Sequence, residues 1–250
     1  MVERLLNAAL NIVRQHGSDL FIDTSRPYAY TIVMEYEGKK IFLKIARDAN
    51  DVPSSAIRDM KLLSEFLNAP ALFVVSSTDN EVLEEGVVYR RDSMNFVSLA
   101  TLAKALRGEL PKFYQSRSKR YVTVDGKALR ERRESLGLSL SALSQMLSIS
   151  RETLYRYERE EYPMPERVAV ELFKRFSDDV AKKINIFNTT RASKIDKASR
   201  AIDINKYRLE QSHPNGIIYS DKPLFLVKDP EKKEKTRLLA EIFSVEVVEE

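Results

Sequence analysis

The sequence of 250 residues contains no cysteine and only two histidines, His16 and His213, which lie near opposite ends. The missing cysteine excludes disulfides, thiolate metal sites, iron–sulfur clusters and cysteine nucleophiles. Two histidines so far apart argue against a histidine-based zinc site and against a Ser-His-Asp triad, so neither a metal nor a cofactor is expected. No apolar run approaches the roughly 20 residues that span a bilayer. The opening MVERLLNAALNIVRQHG places Glu3 and Arg4 early and keeps its apolar residues at helical spacing, unlike a signal peptide. A cytoplasmic protein without membrane contact is therefore expected. Hydrophobic residues make up 43% and charged residues 31%, proportions of a folded globular chain rather than a disordered one. The length allows one large or two to three small domains. A net charge of +4 is modest, so the placement of charge matters more than its sum.

Along the chain, Val2, Leu5, Leu6, Ala9, Ile12 and Val13 form one helical stripe ending at Gly17. Residues 19–23 and 28–38 read as strands, and GKK turns the second into IFLKIAR (41–47) as a hairpin. Pro53 opens a helix over 54–68, 71–77 is a short buried-strand run, 87–91 a further strand and 97–106 a closing helix. This order predicts a mixed sheet flanked by helices. Between Pro111 and Asp125 the chain becomes basic, with Lys112, Arg117, Lys119 and Arg120 among Phe113, Tyr114 and Tyr121; it reads as a linker or a strand. A helical region follows from about 127 to 187, then the polar, basic stretch 188–203. The remainder offers INKYRLEQSH as a helix, GIIYS and PLFLVKD as strands, PEKKEKTRLLAEIF as a helix and SVEVVEE as a strand. LLSEF before ALFVVSS echoes LLAEI before SVEVVEE, as two generic helix-to-strand units also would.

The stretch GLSLSALSQMLSISRETLYRYERE (137–160) carries the chemistry. Ser139 suits the N-cap of a short helix with Leu143 and Leu147 inward, and Ser150 suits the cap of a second with Leu154 and Tyr157 inward. Arg151, Glu152, Tyr155, Arg156 and Arg159 then point outward. Arginine can bond guanine bidentately and glutamate can accept from cytosine N4, so such a helix suits the major groove. Lys127, Arg130 and Arg132, with Lys119 and Arg120, extend the basic footprint as candidate phosphate contacts. The rival reading is an interaction or dimerisation bundle whose charges are only solvated.

Residues 127 to about 176 resemble the helix-turn-helix of phage lambda repressor and Cro, the xenobiotic-response-element class. Leu129, Arg133, Leu136-Gly137-Leu138-Ser139, Leu143, Leu147, Ser150-Arg151, Leu154 and Tyr157-Glu158 carry the likeness. The resemblance implies that Arg151–Arg159 is the recognition helix, with base-reading positions at Arg151, Glu152, Tyr155 and Arg156. It also implies a structural ion pair between Arg133 and Glu158. Two positions depart from the pattern: Leu140 replaces a phosphate-contacting glutamine, and Ser148 replaces the turn glycine.

The N-terminal order, with IFLKI on its third strand, resembles the PD-(D/E)xK nuclease and Holliday-junction resolvase fold. That chemistry needs an acid on the second strand and acid-x-Lys on the third to hold Mg²⁺. Lys44 matches the lysine, but the position two before it is Phe42, and Glu35 and Glu37 come too late on their strand. Lys44 then reads as a relic, a DNA-backbone contact or a surface lysine, and no enzymatic activity is expected.

The expectation is an α+β, multidomain chain. It comprises a restriction-endonuclease-like α/β domain (1–110), a basic linker (111–125), an all-α helix-turn-helix domain (126–188) and a small C-terminal α/β dimerisation or accessory segment (189–250). As a whole it resembles a group of archaeal HTH-type transcriptional regulators. That resemblance implies a sequence-specific regulator of double-stranded DNA. One half-site is only a few base pairs of code, so a homodimer is expected, with the apolar strands 71–77 or 245–248 as its seams. A helix-turn-helix-targeted nuclease and an antitoxin-like interaction module are the alternatives.

Overall fold

The apolar stripe at the N-terminus forms α1 (Val2–His16), which lays Ala9 and Val13 against a sheet with neither residue exposed. The structure is a computed structural model that describes residues 2–79, 81–189, 201–203, 205–219 and 222–250. Gly17 ends α1, but no left-handed backbone is involved: a Cβ there would sit 2.1 Å from the Glu35 carbonyl oxygen. β1 (Ser18–Ile22), β2 (Ile32–Tyr36) and β3 (Lys39–Asp48) form an antiparallel meander, with the β2–β3 turn at Glu37-Gly38, both at positive φ. α2 (Ser54–Phe66) carries the chain back to β4 (Ala71–Thr78), parallel to β3. β5 (Glu81–Val82), β6 (Val87–Arg91), β7 (Met94–Val97) and α3 (Leu99–Leu106) complete the N-terminal body. The short strands β5 and β7 are absent from the sequence reading.

The basic stretch is not a linker. It forms a hairpin, β8 (Phe113–Ser116) and β9 (Lys119–Val122), with β8 parallel to β6. β9 pairs in turn with β10 (Met164–Pro165), which belongs to the helical region. One sheet therefore runs β1-β2-β3-β4-β7-β6-β8-β9-β10, from the N-terminal body into the helical domain. Further backbone bonds tie the two: Asp125 N to Val180 O (2.8 Å), Lys182 N to Thr123 O (2.8 Å) and Ile184 N to Pro111 O (2.7 Å).

The helical domain comprises α4 (Gly126–Ser135), α5 (Leu140–Met146), α6 (Arg151–Glu158) and α7 (Glu166–Phe176). Its own core gathers Leu129, Leu143, Leu147, Leu154, Leu172 and Phe176. Each such side chain, once buried, stabilises the domain by roughly 1.5–3 kcal/mol relative to exposure.

A second sheet, β11 (Ala201–Asp203), β12 (Lys206–Arg208), β13 (Gly216–Tyr219), β14 (Pro223–Val227) and β15 (Glu246–Glu249), is crossed by α8 (Lys233–Phe243). The helix expected over INKYRLEQSH is instead β12 and an irregular segment. Pairing with β13 and burial of Tyr207 against the Phe66 ring (4.8 Å) override the local helical pattern. Most of the stretch 188–203 lies outside the described residues. The two echoed sequences are α2–β4 and α8–β15, each a helix leading to a strand parallel to the one before it. Both units follow an antiparallel pair, so each half carries the order β-β-α-β.

The second sheet closes on the N-terminal body within the chain. Ile217, Phe225, Leu239 and Ala240 share one core with Phe42, Phe66 and Phe73. His213 enters that body fully buried, its Nε2 2.6 Å from Asp23 Oδ2 and its Nδ1 2.7 Å from the Tyr30 hydroxyl. Strand 71–77 cannot be a dimer seam: it is central, paired to β3 and β7, with Leu72 to Val75 fully buried. β15 is an edge strand that carries Glu246 and Glu249 and is followed by Glu250, and charge of this kind discourages edge-to-edge pairing.

Candidate nucleic-acid interface

Three oxygen caps start the helices that form this surface. Asp125 accepts from Ala128 N, Ser139 from Ala142 N and Ser150 from Thr153 N, each at 3.0 Å. Each cap satisfies an otherwise orphaned donor and is worth about 1 kcal/mol. The α5–α6 turn runs through Ser148 at φ 55°, the left-handed region that glycine occupies without cost. A non-glycine residue loses about 1–2 kcal/mol there, and glycine in turn loses about 0.5–1 through chain entropy. Ser148→Gly should therefore stabilise the domain by roughly 0.5–1 kcal/mol, seen as a higher melting temperature. A lowered one would show that the hydroxyl, not the backbone, matters at this turn.

α6 sits with Leu154 fully buried and Tyr157 6% exposed, so the opposite face is set outward. Arg151, Glu152, Tyr155 and Arg159 are exposed, and Arg156 is half-exposed. Arg151 has no ion pair among the described residues. Arg156 Nη2 donates to Glu152 Oε1 at 2.5 Å, and its guanidinium lies 5.6 Å from the exposed Tyr162 ring. Arg159 reaches the Tyr155 hydroxyl and Glu161, both at 3.1 Å. The Glu152–Arg156 pair is an exposed i,i+4 contact worth about 0.3–0.5 kcal/mol, whereas a bidentate contact to guanine is worth about 1–3. Arg156 is thus free in energetic terms to exchange Glu152 for a base.

Behind α6, Arg133 and Glu158 are both nearly buried, with side chains 9% and 6% exposed. Arg133 Nε donates to Glu158 Oε1 at 2.6 Å, Nη2 to Oε2 at 3.1 Å, and Nη1 to the Leu138 carbonyl at 2.8 Å. The bidentate pair locks the end of α6 to α4 and to the loop before α5. Gly126 serves the same junction: a Cβ there would meet the Glu158 carbonyl oxygen at 2.2 Å, so only glycine lets α4 start against the end of α6.

The other basic candidates divide. Lys127 and Arg130 are exposed on α4 beside Glu131 (3.7 Å) and Glu134 (2.8 Å), and Arg132 lines a shallow hollow with Ala128, Ser135 and Asp179. Lys119 is exposed at the β8–β9 hairpin. Arg120 departs from the expectation. Its guanidinium is held by Glu84 (Nη1 to Oε2, 2.8 Å) and Glu166 (3.5 Å), bracing α7 against the β5–β6 loop rather than reaching outward. Tyr162, beside Arg156, is absent from the sequence reading because nothing in the local pattern places it.

In the N-terminal body, Lys44 is only 9% exposed, and its ammonium donates to the Tyr28 carbonyl. Burial pushes its pKa down to about 8. It is therefore not a surface lysine. The adjoining cavity, about 390 Å³, is also lined by Asp23, Thr31, Arg47 and Asp51. Phe42, where the third strand would need an acid, is buried in the core, and Thr31 precedes β2, its hydroxyl accepting from Ile45 N at 3.2 Å. Asp23 is bound to His213, Lys235 and the Ser25 amide. Burial alone would raise its pKa, but those bonds outweigh it and hold the carboxyl well below the usual range. Among the described residues no cluster of three or more His, Cys, Asp or Glu side chains is arranged to hold a metal ion.

Residues 129–170 match the helix-turn-helix family, and residues 2–111 match the PD-(D/E)XK superfamily domain. A Pyrobaculum aerophilum protein named "Putative HTH-type transcriptional regulatory protein" is 44% identical over 247 residues, covering 99% of each chain. Proteins of the same name from Methanococcus vannielii and Thermococcus gammatolerans are each 30% identical over 74% of this chain. This chain spans 57% and 58% of the length of those two. No solved structure matches. No helix among the described residues is long and apolar enough to cross a membrane.

Proposed function

This chain belongs to the archaeal HTH-type transcriptional regulatory protein family, and from that premise we propose that it binds double-stranded DNA as a regulator, reading the major groove with α6. The observation that carries the reading is the outward row Arg151, Glu152, Tyr155 and Arg156 on a helix whose other face is locked by Leu154, Tyr157 and the Arg133–Glu158 pair. Arg151 and Arg156 contact bases. Lys127, Arg130, Arg132 and Lys119 contact phosphates, and Arg120 keeps the hairpin in place beneath them. A half-site read by one short helix encodes few base pairs, so the active form is a homodimer with recognition helices about 34 Å apart. No catalytic step is assigned to the chain.

Arg151→Ala or Arg156→Ala should each cost about 1–3 kcal/mol in operator affinity and relax one base preference. Genomic fragments bound by the purified protein supply the operator, and competition binding supplies the affinities. Wild-type affinity in both variants would remove α6 as the reading helix.

A second reading, a DNA-targeted nuclease, is favoured by the superfamily match over 2–111 and by Lys44 lining a cavity with Asp23. It predicts Mg²⁺- or Mn²⁺-dependent cleavage of branched or duplex DNA that disappears in Lys44→Ala. The expected result is no cleavage with either metal, since Phe42 stands where the third strand would need an acid and Asp23 is engaged by His213 and Lys235.

A further inference from the structure

The segment 182–189 returns from the helical domain to the N-terminal body and sorts its side chains by chemistry. Ile184, Ile186 and Phe187 turn into the core on one face of the long sheet, with the Phe187 ring 5.1 Å from Tyr36. Lys183, Asn185 and Asn188 stay exposed. Its main chain is pinned at Lys182 N and Ile184 N, so this outward row is fixed in place. Facing it, Arg90 and Asn95 are Cα partners across β6 and β7. They lie on the sheet face of Val88 and Val97, two residues beyond each, where that face changes from apolar to polar.

The groove between them measures about 620 Å³ and is also lined by Thr123 and Lys182. Among the described residues three cations and three side-chain amides line it, and no carboxylate does. Lys182 bonds Glu160 outside the lining, whereas Arg90 and Lys183 form no ion pair with the described residues. Arg90 is held over the Tyr114 ring, 4.1 Å from its centroid, which orients the guanidinium. The bland alternative is a solvated basic face. Against it stands the overall balance, 41 basic to 37 acidic residues, and the pairing of most surface cations on α4, α6 and α7 with a neighbouring glutamate. Like charges in one concavity repel each other and focus a positive potential, which an anion relieves. A planar guanidinium, an ammonium and neutral amide donors together match phosphate oxygens.

We propose that this groove, separate from α6, is a phosphate-binding site. The phosphates come either from duplex backbone flanking the site read by α6 or from a free phosphorylated molecule. The test uses the full chain and an Arg90→Ala/Lys183→Ala double variant, both positions being exposed, with the melting curve checked first. One arm measures the salt dependence of binding to a short duplex and to a duplex one helical turn longer at each end. If the groove holds flanking DNA, the variant loses about 2 from the log–log salt slope on the long duplex and none on the short one. The other arm titrates pyrophosphate and follows the melting temperature. If the groove holds free phosphate, pyrophosphate raises the wild-type transition and leaves that of the variant unmoved. A variant that matches wild type in both arms overturns the proposal. If the protein binds no duplex at all, the reading of α6 fails while the pyrophosphate arm still decides the groove.

Discussion

Replacing Glu158 with alanine should cost the helical domain about 3 kcal/mol, because it leaves the nearly buried Arg133 guanidinium only the Leu138 carbonyl and a 3.4 Å contact to Glu134. The magnitude follows from burial rather than from the strength of the pair. With side chains 9% and 6% exposed, neither ion can fall back on water when its partner goes. Exposed pairs such as Lys127–Glu131 contribute at most a few tenths, and their removal should be close to silent. The expected result is a large loss of melting temperature together with loss of DNA binding, since α6 is no longer anchored to α4. A double Arg133→Met/Glu158→Leu variant should recover much of the stability, because a well-packed apolar pair often equals a buried ion pair. Recovery of stability without recovery of binding would show that the pair sets helix orientation. If Glu158→Ala melts within 1 kcal/mol of wild type, the domain does not depend on this lock.

Removing the His213 imidazole should have the next largest effect. The ring packs 3.9 Å from Tyr28 and edge-on to Phe21 at 5.0 Å. With Asp23 ionised, Nε2 carries the proton and donates to the carboxylate, leaving Nδ1 to accept from the Tyr30 hydroxyl. In His213→Leu, Asp23 keeps Lys235 and the Ser25 amide, while the buried Tyr30 hydroxyl loses its imidazole partner and keeps only the backbone of residue 213. A lost bond to a charged group costs about 1.5–3 kcal/mol and a lost neutral bond about 0.5–1.5, so a total of about 2–3 is expected.

The acid response supplies a second readout. Burial pushes the His213 pKa down to about 4, below its unfolded value near 6.5, although Asp23 pulls the other way. The unfolded chain therefore binds the proton first. Stability is complete above pH 6.5 and falls as pH drops towards 4, by on the order of 3 kcal/mol in all. The Asp23 contribution is lost only at lower pH, as that depressed carboxyl protonates. Melting curves across this window should slope in wild type and flatten in His213→Leu. An unchanged slope would mean that another group dominates acid sensitivity.

How far the sequence reveals this molecule depends on whether the information is local. The caps at Ser139 and Ser150 and the inward Leu154 and Tyr157 follow from spacing within one or two turns, and all appear where the pattern puts them. The Arg133–Glu158 contact spans 25 residues and comes from family resemblance, not from periodicity. Strands of two to four residues, such as β5, β7 and β12, carry too little pattern to be seen and exist because neighbours pair with them. Asp23 looks like an ordinary loop acid until His213, 190 residues later, arrives beside it. Gly17 and Gly126 look like helix punctuation, yet both are required because another strand or helix end comes too close for a Cβ. The groove between Arg90 and Lys183 is invisible for the same reason: neither segment is unusual alone.

The β8–β9 hairpin described above leaves the helical domain no slack. A tether of disordered residues would let the helical domain swivel against the N-terminal body. A shared ladder of backbone bonds instead fixes the orientation of the helical domain, and with it of α6, relative to the N-terminal body. α6 therefore cannot change its angle to that body without breaking backbone bonds of the long sheet.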